Sequence, residues 1–172
     1  MLKKLYISYI LFFSILCILF SSDKTVKTEI INSDKLYFPI EYREFSSYYG
    51  YREFNGKPNF HNGLDIPAPS GTNIFASDSG VIINSTFITG YGNCIIILHS
   101  NGTKSLYGHL SENYIVQNGQ YVEKGEHIGY VGPKYLSDGR LNGYTTGCHL
   151  HFTIFLSDGK TSDPLTFEYI NK

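Results

Sequence analysis

His149-Leu150-His151 opens an apolar run, HLHFTIFL, at 149–156. In an extended strand, residues two apart point to one face. The two imidazoles are therefore expected side by side, with Cys148, Leu150 and Phe152 turned the other way into the core. Imidazoles in an apolar run are costly unless something pairs with them. His61 and Asp65 stand four apart in HNGLD at 61–65. That spacing lets two side chains converge on one ion, across a helical turn or around a glycine-containing loop; the plainer reading is a surface loop. His61, Asp65 and one of the 149/151 pair would supply two neutral nitrogens and one carboxylate oxygen. This donor set suits zinc, and three protein ligands leave a fourth position for water. Zinc brings the pKa of that water to about 7. Further histidines beside the metal can take the proton or hold the developing oxyanion.

The other histidines carry less. His109 lies in YGHL at the end of a strand-like run, either a base at a cleft rim or a surface residue. His99 and His127 fall at strand ends near turns and read as structural or solvent-facing. No HExxH helix is present, which excludes the zincin arrangement. GxSxG, a phosphate-binding loop and GxGxxG after a strand are absent too. Beyond Cys17, the thiols are Cys94 and Cys148. Neither has a convincing catalytic partner, and their pairing is open, with two buried thiols at least as well supported as a disulfide.

The elements that must position these groups are short strands. The runs at 80–88, 93–100, 103–110, 127–132 and 149–156 are rich in β-formers and bounded by Gly, Asn, Asp and Ser. Ser100-Asn101-Gly102 and Ser157-Asp158-Gly159 are tight-turn sequences of the hairpin kind. No 3.6-residue apolar period persists beyond the N-terminal segment, so little helix is expected. The fold class is mostly β, an antiparallel sheet domain over about residues 38–170. Ile95-Ile96-Ile97-Leu98 is apolar at every position and predicts a central strand covered on both faces.

Residues 1–22 read as an address. Lys3 and Lys4 precede a run at 5–20 that is apolar but for Ser8, Ser14 and its tyrosines. This predicts a signal peptide or an N-terminal membrane anchor, with the lysines held inside. Leu16 stands where a lipid-modified Cys17 would want a small residue. Residues 23–37 are polar and aperiodic and read as a linker. The expected location is the cell envelope, exported and held at the membrane if the segment is not cleaved. The whole chain of 172 residues carries a formal net charge of -1. That balance argues against a nucleic-acid partner, which would call for a basic surface.

The ordered stretches SSYYGYRE, HNGLDIPAPSGTNIFASDSGVI, YGNCIIILHSNGTKSLYGHLS, VEKGEHIGYVG and TTGCHLHFTI resemble the lysostaphin/LytM-type zinc metalloendopeptidases, which cut peptidoglycan cross-links. The resemblance implies a β-rich groove with one zinc ion at its floor. It implies His61, Asp65 and His151 as the zinc ligands and His149 and His109 as catalytic residues. It further implies that water attacks a peptide carbonyl, with a peptidoglycan peptide as substrate. Cys148 stands where the family commonly has Pro or another small residue, and Ile66-Pro67-Ala68-Pro69 after HNGLD is a mild variant. The alternative is a non-catalytic wall-binding or hydrolase-activating module of the same fold. A third is a structural envelope protein whose histidines lie apart in space.

Overall fold

The computed structural model describes residues 35–54 and 56–171. The expected address segment at 1–22, and all but the last residues of the linker at 23–37, lie outside the described residues. Eleven strands follow in order. They are β1 (Gly50–Phe54), β2 (Lys57–His61), β3 (Leu64–Pro67), β4 (Asn73–Phe75), β5 (Gly80–Ile88), β6 (Gly92–His99), β7 (Lys104–Gly108), β8 (Tyr121–Val122), β9 (His127–Tyr130), β10 (His149–Phe155) and β11 (Thr161–Ser162). A 3-10 turn at Pro164–Thr166 is capped by the Asp163 carboxylate, which accepts from Leu165 N.

Every ladder between these strands is antiparallel. The main sheet runs β11-β10-β7-β6-β5-β8, and β3 also pairs with β10. β7 occupies one edge of β10, while β3 and β11 share the other at different registers. The two anticipated hairpin turns close β6–β7 and β10–β11. His99 N donates to Thr103 O, and Leu156 N donates to Lys160 O.

The core forms where inward-facing strand positions meet. Ile82, Ile95, Ile97, Tyr107, Leu150, Phe152 and Ile154 from the main sheet pack with Phe38, Ile40, Leu64, Ile66 and Ile128. β10 alternates as its sequence predicts, with Leu150 and Phe152 fully buried in this cluster. Two expectations need correction. Cys148 is exposed. It precedes the first paired residue of β10, so strand alternation does not govern it. β6 is central in the sheet but is not covered on both faces: Leu98 is 40% exposed. Its cross-strand partners are Val81 and Lys104, and the outer face there is open. Cys94 is buried, and both it and Cys148 are free thiols.

Candidate metal centre

The site is assembled by register. In the β3–β10 ladder Asp65 is directly opposite His151, so their side chains leave the sheet on the same face. On the other edge of β10, His151 is opposite Gly108 of β7. The glycine leaves room beside the imidazole, and the next residue is His109. His61 ends β2, and Asn62-Gly63 turns the chain directly into β3. HNGLD is therefore a strand end, a two-residue turn and a strand, rather than a helical turn or a surface loop. Gly63 is required at that turn. A Cβ there would stand 2.6 Å from Phe152 O and 2.8 Å from His151 Cε1.

Three donor atoms converge. His61 Nε2 lies 3.1 Å from Asp65 Oδ1 and 3.1 Å from His151 Nδ1, and His151 Nδ1 lies 2.8 Å from Asp65 Oδ1. Ligands held about 2.0–2.1 Å from one ion at tetrahedral angles stand about 3.3 Å apart. The observed triangle is close to that size. All three residues are buried, and together they form a group able to hold one metal ion.

The outer nitrogens set the tautomers. His61 Nδ1 faces the Tyr48 carbonyl at 2.9 Å. A carbonyl only accepts, so Nδ1 carries the proton and Nε2 turns a lone pair inward. His151 Nε2 faces the Thr153 hydroxyl at 2.9 Å, which accepts from Nε2–H in the tautomer that bares Nδ1. Metal-ligating histidines are oriented by outer partners of this kind. Lone pairs from two imidazoles and a carboxylate, crowded into one buried triangle, repel unless a cation lies among them. The donor set thus fits a metal.

The remaining two histidines stand beside this group. His149 Nε2 is 3.5 Å from Asp65 Oδ1, and its Nδ1 donates to Gly147 O at 2.9 Å. The His109 and His149 rings meet edge-to-face, with centroids 4.6 Å apart. His109 Nδ1 donates to the Asn142 carbonyl at 2.6 Å, which leaves its Nε2 as an open acceptor. His109 is buried, not a surface residue, and it is the one non-glycine residue with positive φ among the described residues, at 58°. Such backbone costs energy and persists only where its surroundings hold it. Here Tyr91 O accepts from its N–H and Gly132 N donates to its carbonyl.

Electrostatics follow from burial and crowding. Burial raises the Asp65 pKa, but in the metal-free protein hydrogen bonds from His149, His151 and His61, formed when those imidazoles carry a proton on the facing nitrogen, outweigh it and hold the carboxyl well below the usual range. Burial, helped by the neighbouring His149 and His151, pushes His109 down to about 3. Burial also lowers His151, against the pull of Asp65. His99 and His127 lie outside this group. His99 is buried between Ser79 O and Ser105 Oγ, and His127 contacts Gly129 O, so both are structural.

A cavity of about 470 Å³ opens over the group, lined in part by Arg52, Phe60, Tyr91, His109, Tyr144 and His151. All five residues singled out from the sequence come together, so the histidines are not scattered. Three further residues contribute to the site. Arg52 donates to Asp65 Oδ2 at 3.3 Å. Thr153 supports His151. Asn142 is fully buried, and its side chain ties Asn93 N, Leu110 O and Pro133 O together behind His109. Strand period alone places Thr153, two residues on from His151 in β10, whereas pairings distant in sequence bring Arg52 and Asn142 here.

A model of peptidase family M23 matches residues 59–164. The DD-carboxypeptidase/endopeptidase Mpg of Neisseria meningitidis is 41% identical over 116 residues, which are 66% of this chain and 25% of that protein. The chain thus spans about a quarter of the length of that relative. A zinc-containing peptidase from Vibrio cholerae superposes with a TM-score of 0.65 at 26% identity, covering 79% of this chain and 41% of the other. The catalytic domain of the antimicrobial peptidase lysostaphin from Staphylococcus simulans gives 0.61 at 32% identity, covering 72% and 90%. The matched segment holds His61, Asp65, His109, His149 and His151, and the chain belongs to peptidase family M23.

Proposed function

We propose that the protein is a zinc-dependent endopeptidase that hydrolyses peptide cross-links or bridges of bacterial peptidoglycan. The observation that carries this reading is the triangle of His61 Nε2, Asp65 Oδ1 and His151 Nδ1, with edges of 2.8 to 3.1 Å, beneath an open groove. Those three residues would hold zinc. The zinc-containing relative and the resemblance to wall-cutting peptidases support the cofactor and the substrate.

When bound, zinc supplies Lewis acidity, bringing the pKa of water near 7 and polarising a carbonyl. The chain supplies the rest. Asp65, kept ionised by its histidine neighbours, contributes the negative charge of the donor set. His109 is neutral at pH 7 because burial holds its pKa near 3. With Nδ1–H fixed on Asn142 O, its Nε2 is placed to take a proton. His149 stands beside it, with Nδ1–H fixed on Gly147 O and Nε2 toward Asp65. The pair can move the proton to the leaving amine and steady the charge that develops on the carbonyl oxygen. Phe60, Tyr91 and Tyr144 wall the groove.

In the same proposal residues 1–22 export or anchor the chain, 23–37 tether it, and 38–170 form the peptidase domain at the cell wall. The test is digestion of purified sacculi by the zinc-loaded protein, with released muropeptides analysed by mass spectrometry. Loss of cross-linked species, stopped by chelator and restored by zinc, is expected. Unchanged cleavage by His151→Ala or Asp65→Ala protein would remove the assignment.

A further inference from the structure

The donor triangle accounts for a metal but not for what the groove selects, and the residue with that capacity is Arg52. Among the described residues lining the cavity it is the one Lys or Arg, and Asp65 is the one carboxylate. β1 pairs with β2 so that Arg52 is opposite Asn59 and Gly50 is opposite His61. Arg52 therefore shares a face with the end of β2 that carries His61. The guanidinium is fixed from several sides. Nε donates to Asn59 Oδ1 at 3.4 Å, Nη1 donates to Ser47 Oγ and to Asp65 Oδ2, and Cζ lies 5.1 Å from the Phe54 ring centroid. None of these bonds uses Nη2, and the side chain remains 26% exposed.

Supporting Asp65 does not exhaust this arrangement. The support is one bond of 3.3 Å, and Asp65 Oδ1 already faces three histidines. With a divalent cation in the triangle, one carboxylate and one guanidinium leave the cavity with two excess positive charges. A partly desolvated site of that sign favours an anionic ligand. A guanidinium locked in place with its Nη2 amino group open presents charged N–H donors of the kind that recognise carboxylates.

Resting on the zinc-peptidase reading, we infer that Arg52 binds a carboxylate of the peptide substrate near the scissile bond. The protein then selects stem peptides with free carboxyl groups over amidated ones. The carboxylate is either the C-terminal one or that of a side chain, and the experiment separates them. The full-length zinc-loaded protein is titrated with three synthetic stem peptides: the free acid, its C-terminal amide, and its side-chain amide. Calorimetry gives affinities, and product analysis gives kcat/KM.

The wild type is expected to prefer the free acid over one of the amides by about tenfold, the order of a charge-assisted bond. That amide names the source of the carboxylate. Arg52→Gln should erase the preference, and Arg52→Lys, which keeps the charge but loses the fixed Nη2 donor, should keep part of it. Selectivity is a ratio, so partial loss of zinc cancels, whereas a residue that only braced Asp65 would lower all three peptides alike. Equal binding of the three peptides by the wild type, or a preference that survives in Arg52→Gln, overturns the inference. If Arg52→Gln does not fold, Arg52→Lys with undiminished preference does the same. Preferential binding without hydrolysis of any peptide would instead sink the peptidase reading and leave the Arg52 assignment standing.

Discussion

Asp65 and His151 lie directly opposite each other in the β3–β10 ladder, and Asp65 Oδ1 sits 2.8 Å from His151 Nδ1. Two strands 86 residues apart in sequence thus set the spacing of the donor set, and backbone hydrogen bonds hold it. Asp65 is gripped from its other edge as well, where its N–H donates to Ser47 O and its carbonyl accepts from Ser46 N. Asp65→Asn preserves the size of the side chain and removes the charge. It should leave the fold intact by circular dichroism and abolish stoichiometric zinc, read by atomic absorption after dialysis. An Asn variant that retains one tightly held zinc would contradict this.

Thr153 is the outer partner of His151. Its Oγ1 is 2.9 Å from Nε2, and the residue is fully buried. Thr153→Val keeps the β-branched shape and removes the acceptor. Losing such an outer bond costs about 10–100-fold in metal affinity or activity. The same range is expected here, measured by competition with a zinc-binding dye. Affinity equal to the wild type would show that the hydroxyl does not orient the imidazole.

Gly63 carries the turn between β2 and β3. An added methyl group would meet Phe152 O and Thr153 Oγ1 at 2.6 Å and His151 Cε1 at 2.8 Å. Backbone on one side and a buried imidazole on the other leave little to give. Gly63→Ala should lower both the melting temperature and zinc occupancy, because relief of the clash displaces β3 from β10 or rotates His151. A variant with normal zinc content and unchanged Tm would show that the turn yields freely.

The parts of this fold that are readable from sequence are those in which a local pattern and the final structure coincide. β5, β6, β7, β9 and β10 are runs of β-formers between turn residues, and each forms where its pattern places it. His149 and His151 share a face because strand period alone requires it. β1, β2 and β3 are different. KPNFH and LDIP have no strand pattern, and their extended state comes from pairing with each other, with Ser47 and with β10. The plainer surface-loop reading of HNGLD fails for that reason, while its glycine-containing turn does bring His61 and Asp65 together, and the expectation at Cys148 fails because alternation starts only at His149. Arg52 and Asn142 reach the site through contacts with Asp65 and His109, 13 and 33 residues away, a separation at which spacing in sequence says nothing.

Asn142 offers a direct check on how His109 is held. Its backbone carbonyl accepts from His109 Nδ1, while its side chain accepts from Asn93 N and donates to Leu110 O and Pro133 O. Asn142→Ala keeps the carbonyl but removes the three side-chain bonds that fix it. It also strands the buried Asn93 N–H and Leu110 carbonyl, each costly to leave unpaired, and the half-buried Pro133 carbonyl. The expected result is lower thermal stability together with a fall in kcat larger than any rise in KM, since zinc and the groove walls are untouched. Unchanged kcat at full zinc occupancy would mean that His109 is positioned without Asn142.

Stability should also depend on pH through His99, outside the metal group. Its Nδ1 donates to Ser79 O, and its Nε2 lies 2.9 Å from Ser105 Oγ, which in turn accepts from Tyr107 OH. Burial is the main cause that lowers its pKa from the ordinary 6.5. The unfolded chain therefore binds a proton at pH values where the folded chain does not. By linkage, this contribution is fully present above about pH 6.5 and is lost as pH falls below it. Without zinc, His109 and His151 titrate in the same direction, whereas the Asp65 contribution is lost only below its ordinary 3.8. Urea melts of the metal-free protein should therefore show stability falling from about pH 6.5 toward 4. His99→Gln should be less stable overall and show a shallower fall over that window, with the carboxylate decline at lower pH unchanged. A pH profile identical in slope to the wild type would show that His99 does not titrate with unfolding.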